Sequence, residues 1–213
     1  MQLIATDSQN PDAAAISTAV AALQNRRVIA YLTDTLYGLG GDARSTLAVA
    51  KVFALKGRSA EKALPVIIGE KSMLADYAGE ISPIAEALTE QFWPGPLTLI
   101  FKASPIVPMM LIGDTGKIAM RLPAARLARE ISSGLGAPII ATSANRSGEP
   151  VAASAQEIAE IFGKGLALIL DSGPPLNRQP STILDVTTQP PRLIRAGAVS
   201  TMEIIKKIGE LDT

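Results

Sequence analysis

The stretch Pro138-Ile139-Ile140-Ala141-Thr142-Ser143-Ala144-Asn145-Arg146-Ser147-Gly148-Glu149-Pro150 changes from apolar to polar between one residue and the next. Pro138 to Ala141 read as the end of a buried strand. Thr142, Ser143, Asn145, Arg146 and Ser147 follow at once, before a glycine and a proline that force a turn. In a mixed α/β sheet, ligands sit just beyond strand ends, where short polar side chains and free backbone N–H groups face a crevice. A second reading stays open, in which Ser143 and Asn145 bond only their own backbone in the turn.

Working outward, the same pattern recurs. Val28-Ile29-Ala30-Tyr31-Leu32 is a continuous apolar run, expected as a central strand. It passes into Thr33-Asp34-Thr35-Leu36-Tyr37-Gly38-Leu39-Gly40-Gly41-Asp42-Ala43, read as a loop built to bring backbone close to something. Gly38 to Ala43 also fits the G-x-G-x-x-G/A dinucleotide pattern, in which the first glycine follows the strand directly and an acid ends the next strand. Here five residues separate Leu32 from Gly38, and Glu61, the acid at about the right distance, precedes the next apolar run. A nicotinamide site is therefore set aside, and no G-x-x-x-x-G-K-[ST] run offers a P-loop.

Helical spacing predicts a first helix over Asp12 to Asn25, with Asn10 or Asp12 as cap and Pro11 in the first turn. Ser45 caps a second, well-buried helix that ends at Lys56-Gly57-Arg58-Ser59. Lys56 and Arg58, two apart in a non-helical loop, project to one side and suit a polyphosphate or a carboxylate. They equally suit the negative end of the helix before them. Val66-Ile67-Ile68 and Leu97 to Phe101 read as strands, Ser72 to Tyr77 and Ser82 to Phe92 as helices, and Trp93 as a core plug. Ile118 to Pro123 is a strand in which alternation sets Ala119 and Arg121 apart from Ile118, Met120 and Leu122. A buried guanidinium needs an acid, a phosphate or water, and the sequence leaves that choice open. Ala124 to Ser133 is a helix closed by Gly134; Ser154 to Phe162 and Thr201 to Ile208 are helices, with strands at Leu166 to Leu170, Ser181 to Val186 and Leu193 to Ala198. Strands and helices mix without strict alternation, so the fold class is α/β, a twisted, mixed, partly antiparallel sheet flanked by helices.

The absences narrow the chemistry. The 213 residues contain no Cys and no His, which removes disulfides, thiolate catalysis, Ser-His-Asp hydrolysis and His-based zinc sites. Twenty basic residues against twenty acidic ones leave no net field to hold a polyanion, so any nucleic-acid contact is local. No apolar run reaches membrane-spanning length and the start lacks a secretory pattern, which suits a cytoplasmic protein.

Thr33 to Gly40, Lys56-Gly57-Arg58, Trp93-Pro94-Gly95-Pro96-Leu97-Thr98, Met120 to Pro123, Thr142 to Gly148, Ser181-Thr182-Ile183 and Ile194 to Gly197 stand in one order along the chain. In this the sequence resembles the YrdC family of threonylcarbamoyl-AMP synthases. The resemblance implies a single YrdC/RibB-like domain over 1–213 with a deep basic cleft. It implies use of L-threonine, bicarbonate and ATP with release of pyrophosphate, Mg²⁺ travelling on the triphosphate and no metal held by the protein. Lys56, Arg58, Ser143 and Asn145 are implied as the catalytic set, with Lys56 and Arg58 on phosphates or the threonine carboxylate. Thr33, Thr35 and Tyr37, with Arg58, are implied on the threonine side. Arg121, Thr142, Ser181 and Arg195, with Lys56, Ser143 and Asn145, are implied as nucleotide contacts. Downstream partners would be the proteins that transfer threonylcarbamoyl to tRNA, with local tRNA contact. Two other readings remain, a non-catalytic RNA-binding module and carbamoyl transfer to a different amine. The chemistry itself suits the composition, because a carbamate nucleophile arrives already anionic and asks for no side-chain base.

Overall fold

A run of apolar residues with no polar face needs cover on both sides, and Val28 to Leu32 finds it. In the computed structural model, which describes residues 1–59, 62–175 and 179–213, Ile29–Leu32 is a strand buried along its whole length. Ile29 and Tyr31 face one apolar cluster, while Val28, Ala30 and Leu32 face the other and larger one. Glu61, weighed above as a dinucleotide acid, lies outside the described residues.

From the N-terminus the elements are β1 (Gln2–Ala5), α1 (Ala13–Gln24), β2 (Ile29–Leu32), β3 (Tyr37–Gly40), α2 (Thr46–Lys56), β4 (Val66–Ile67) and α3 (Leu74–Tyr77). Then come α4 (Pro83–Phe92), β5 (Leu97–Lys102), α5 (Met109–Ile112), β6 (Lys117–Arg121), α6 (Arg126–Leu135), β7 (Ile139–Ile140) and β8 (Thr142–Ser143). The chain closes with α7 (Ala155–Phe162), β9 (Leu168–Asp171), β10 (Thr182–Asp185), β11 (Arg192–Arg195) and α8 (Thr201–Ile208).

The strands make two mixed sheets where the sequence pointed to one. The five-stranded sheet runs β1-β9-β2-β3-β8 and the six-stranded sheet runs β11-β10-β5-β6-β4-β7. β7 and β8 are edge strands of different sheets, and only Ala141 lies between them. The apolar-to-polar switch in the sequence is therefore a change of sheet as well as a strand end. Ala141 stays anchored while the chain crosses, its N–H donating to Pro65 O at 2.9 Å.

Three local expectations change. Tyr37–Gly40, taken as loop, is a strand that pairs antiparallel with β2, so Thr33 to Leu36 is a tight hairpin tip. Its glycines make room for protein: a Cβ on Gly40 would lie 2.7 Å from Tyr31 Cε1. Gly136, not Gly134, closes α6 in a left-handed cap, and Gly134 lets the helix lie against Val20 of α1. Asp12 is the N-cap of α1 without a capping hydrogen bond, which leaves Pro11 outside the first turn. Ser45 and Gly57 bound α2 as expected, Ser45 accepting from Ala48 N and Gly57 in the left-handed region. The strand β1 carries a mostly exposed pattern and was not legible as apolar periodicity.

Candidate active site

The floor of one cavity, about 290 Å³, is one face of the six-stranded sheet. Alternation supplies it: Thr98 and Ile100 come from β5, Ala119 and Arg121 from β6, and Ser181 and Ile183 from β10 and its approach. The hairpin tip lays Thr33, Thr35 and Tyr37 along one side, Thr142 and Ser143 come from β8, and Arg58 and Arg195 close the rim. An adjoining cavity of about 330 Å³ is lined by Lys56, Arg58, Lys62, Ser143, Asn145 and Ser147, among others. Arg58 and Ser143 line both, so all the candidate residues converge on one connected region. A third cavity of about 410 Å³, walled by Leu36, Val151, Ala152 and Pro175, shares Ser143 and Arg195 with the first.

Lys56 is the last residue of α2 and not part of a loop. Its buried ammonium donates to Ser143 O at 2.6 Å, Asn145 O at 2.8 Å and Asn145 Oδ1 at 3.1 Å. Those are all three hydrogens an ammonium has. The Ser143 hydroxyl donates to Asn145 Oδ1 at 2.6 Å, and Asn145 Nδ2 donates to Glu149 O at 2.6 Å. Ser143 and Asn145 bond locally, as one reading of the turn expects, and also line cavities. Burial, with the Arg58 charge beside it, pulls the Lys56 ammonium down to about 8 from 10.5.

Arg58 bonds Ala63 O through Nη2 at 2.9 Å, while its Nε is buried with no partner among the described residues. Desolvation lowers its pKa. Arg121 finds an acid: its Nη1 donates to Asp34 Oδ1 at 2.8 Å. Arg195 grips the chain before β10, Nε and Nη2 donating to Ser181 O at 3.1 and 2.7 Å and Nη2 to Ser181 Oγ at 3.0 Å. Its pKa is lowered by burial and then by the neighbouring Arg121 charge. The region therefore holds three guanidinium groups with one carboxylate among them.

Thr33 and Thr35 place their hydroxyls 3.0 Å apart, and Thr33 Oγ1 donates to Leu36 O at 2.7 Å. Tyr37 lines the cavity with its ring, but its hydroxyl donates to Gly173 O at 2.8 Å and accepts from Ser172 N at 3.1 Å. Burial, partly offset by the Ser172 N–H, pushes the phenol up to about 12. Two participants escaped the sequence reading. Thr98 meets Ser181 Oγ at 2.9 Å, and Asp34 tethers Arg121. Both lie inside motifs quoted above, and the period-2 spacing of Thr98 with Ile100 was the available signal. Among the described residues no group of three or more His, Cys, Asp or Glu side chains gathers to hold a metal ion, and no helix is long and apolar enough to cross a membrane.

A family model that groups Sua5, YciO and YrdC, described as Telomere recombination, matches residues 21–197. A threonylcarbamoyl-AMP synthase of Pyrococcus abyssi is 38% identical over 92% of the chain, and one of Bacillus subtilis 36% over 97%. The crystal structure of P. abyssi Sua5 complexed with L-threonine superposes with a TM-score of 0.95 at 36% identity, covering all of this chain and 62% of that one. The chain spans 58% and 60% of the length of the two synthases.

Proposed function

Since the chain belongs to the Sua5/YciO/YrdC family, we propose that it makes L-threonylcarbamoyl-AMP from L-threonine, bicarbonate and ATP and releases pyrophosphate. One observation carries the reading: hydroxyls at Thr33, Thr35, Ser143 and Ser181 and guanidinium groups at Arg58, Arg121 and Arg195 line a single cavity. That is the donor set for an amino acid and a polyphosphate held side by side. The synthases of P. abyssi and B. subtilis carry the activity in their names, and the P. abyssi structure holds threonine.

The chemistry follows from position and charge. The threonine amine adds to the carbon of bicarbonate and water leaves, giving a carbamate. A carbamate oxygen then attacks the α-phosphorus of ATP, and the bond to the bridging oxygen breaks to release pyrophosphate. The nucleophile is already an anion, so no base is needed at that step, consistent with a chain without histidine. What the protein supplies is alignment and cationic cover for the phosphates. Arg58, shared by the two polar cavities, is assigned to the anions on both sides of the bond being formed. Lys56, its hydrogens spent on the 143–145 turn, is assigned to holding that turn, and Ser143 and Asn145 to the nucleotide. Thr33 and Thr35 are assigned to threonine, and Arg121, Thr142, Ser181 and Arg195 to the nucleotide. Mg²⁺ enters as part of the substrate MgATP. The product is consumed by cytoplasmic proteins that transfer threonylcarbamoyl to tRNA.

The test is pyrophosphate release from MgATP with threonine and bicarbonate each left out in turn. Loss of signal on either omission is expected. Release that ignores threonine would replace this reading with another ATPase, and RNA binding without any release would favour a non-catalytic module.

A further inference from the structure

The ion pair between Asp34 and Arg121 differs from the others in the molecule. Their side chains are 11% and 7% exposed, whereas every other pair among the described residues has at least one partner 35% or more exposed. The pair also joins the two sheets. Asp34 sits at the hairpin tip between β2 and β3 of the five-stranded sheet, and Arg121 ends β6 of the six-stranded sheet. Thr33 and Thr35 flank Asp34 and line the cavity, as Arg121 does from the other side. The pairing is single-armed: Asp34 Oδ2 is buried with no partner among the described residues. A buried carboxylate left half satisfied is costly, so its position asks for a reason beyond holding the fold.

We propose that Asp34 is a positioning residue for both substrates at once, fixing the hairpin-tip hydroxyls on the threonine side and cancelling the Arg121 charge on the nucleotide side. Arg195 stands close enough for the Arg121 charge to lower its pKa, so without Asp34 two uncompensated cations would face one anion. Such a site would hold pyrophosphate more tightly and release it more slowly. With Asp34 in place, Arg121 presents its remaining N–H groups from a neutral pair, and the net pull on a phosphate comes from Arg58 and Arg195. This inference rests on the reading of the cavity as the seat of threonine and ATP. Asp34 touches neither reacting atom and is not a catalytic residue.

Two effects of opposite sign separate this role from a merely structural one. Asp34→Asn keeps the shape and one acceptor but removes the charge. L-threonine should then bind roughly tenfold more weakly, because a neutral hydrogen bond holds the tip less firmly than the ion pair, and inorganic pyrophosphate roughly threefold to tenfold more tightly, because a local negative charge is gone. Asp34→Glu keeps the charge and shifts the tip by one methylene. It should weaken threonine while leaving pyrophosphate affinity as in the wild type. Calorimetric titration of each ligand into the full chain reads both, with thermal unfolding run alongside. Both ligands moving the same way in Asp34→Asn, or neither moving, overturns the proposal, and so does loss of the fold in both variants. A wild type that binds threonine and pyrophosphate but releases none from MgATP would sink the functional reading while leaving the Asp34 comparison fully measurable.

Discussion

Two cavities share strands β5 and β10 with their flanks. One, about 290 Å³, lies against Thr98, Ile100, Ser181 and Ile183; the other, about 220 Å³, lies against Phe101, Lys102, Val186 and Thr187. Around the second, the polar groups have found one another. Of its lining residues, Lys102 pairs with Glu80 at 3.3 Å and Thr187 donates to Asp185 at 2.6 Å; Asp185, itself outside the lining, also accepts from Lys117 at 2.8 Å. Burial pushes the Asp185 carboxyl up, yet the bonds from Lys117 and Thr187 outweigh it and hold it below the usual carboxylate range. Around the first, Arg58 Nε and Asp34 Oδ2 are buried without partners among the described residues. Similar volumes thus carry different chemistry. Capacity for hydrogen bonds that the fold has not spent is what marks a binding site.

The comparison breaks first at Lys56. Lys56→Met removes three charge-assisted bonds to the 143–145 turn, with Ser143 O keeping the Asn145 N–H and Asn145 Oδ1 the Ser143 hydroxyl, and should cost about 3 kcal/mol of stability and most of the activity. A denaturant midpoint equal to that of the wild type would mean the ammonium is not the post that holds the turn. Next comes Arg58→Ala, expected to remove about 1.5–3 kcal/mol of charge-assisted contact, roughly tenfold or more in pyrophosphate release. Turnover unchanged by this substitution would erase the distinction between the two cavities.

Gly40→Ala tests how tightly the wall behind the hairpin is packed. The new Cβ would meet Tyr31 Cε1 at 2.7 Å and Ile29 Cγ1 at 3.2 Å, an overpacking cost of about 1–3 kcal/mol in thermal or chemical unfolding. A smaller effect is expected from pH. Lys56 is charged below about 8 and loses one donor hydrogen above it, so MgATP affinity should weaken roughly threefold between pH 7 and 9. Lys56→Gln should bind with no such slope. The smallest effect belongs to the second cavity, where Lys102→Ala removes a well-exposed pair, should change stability by less than about 0.5 kcal/mol and should leave turnover alone.

Much of the architecture was legible in the sequence because it depends on local signals. Ser45 and Gly57 bound α2, Ser82 and Pro83 open α4, and Ser200 opens α8 with a full capping box. The split into two sheets was not legible, since a run such as Ile139 to Ser143 says where strands lie and not with which neighbour they pair. The β3 strand was hidden by its glycines, whose small size answers to the Tyr31 ring and not to a ligand. At the site, motif order brought every candidate residue to one region, but direction of side chains is a tertiary matter. The sequence left Arg121 between an acid and a ligand, and only the fold brings Asp34, 87 residues away, into contact. Likewise nothing local told that the Lys56 ammonium would turn to backbone carbonyls.

The single residue between β7 and β8 has a further consequence. Side chains in a strand alternate, so adding or deleting one residue at Ala141 would either exchange the faces of Ile139 and Ile140, which pack into different apolar clusters, or exchange those of Thr142 and Ser143 at the cavity. Surface loops in general tolerate a change of length, but here the count of residues is fixed, a stitch that can be replaced and never doubled or dropped.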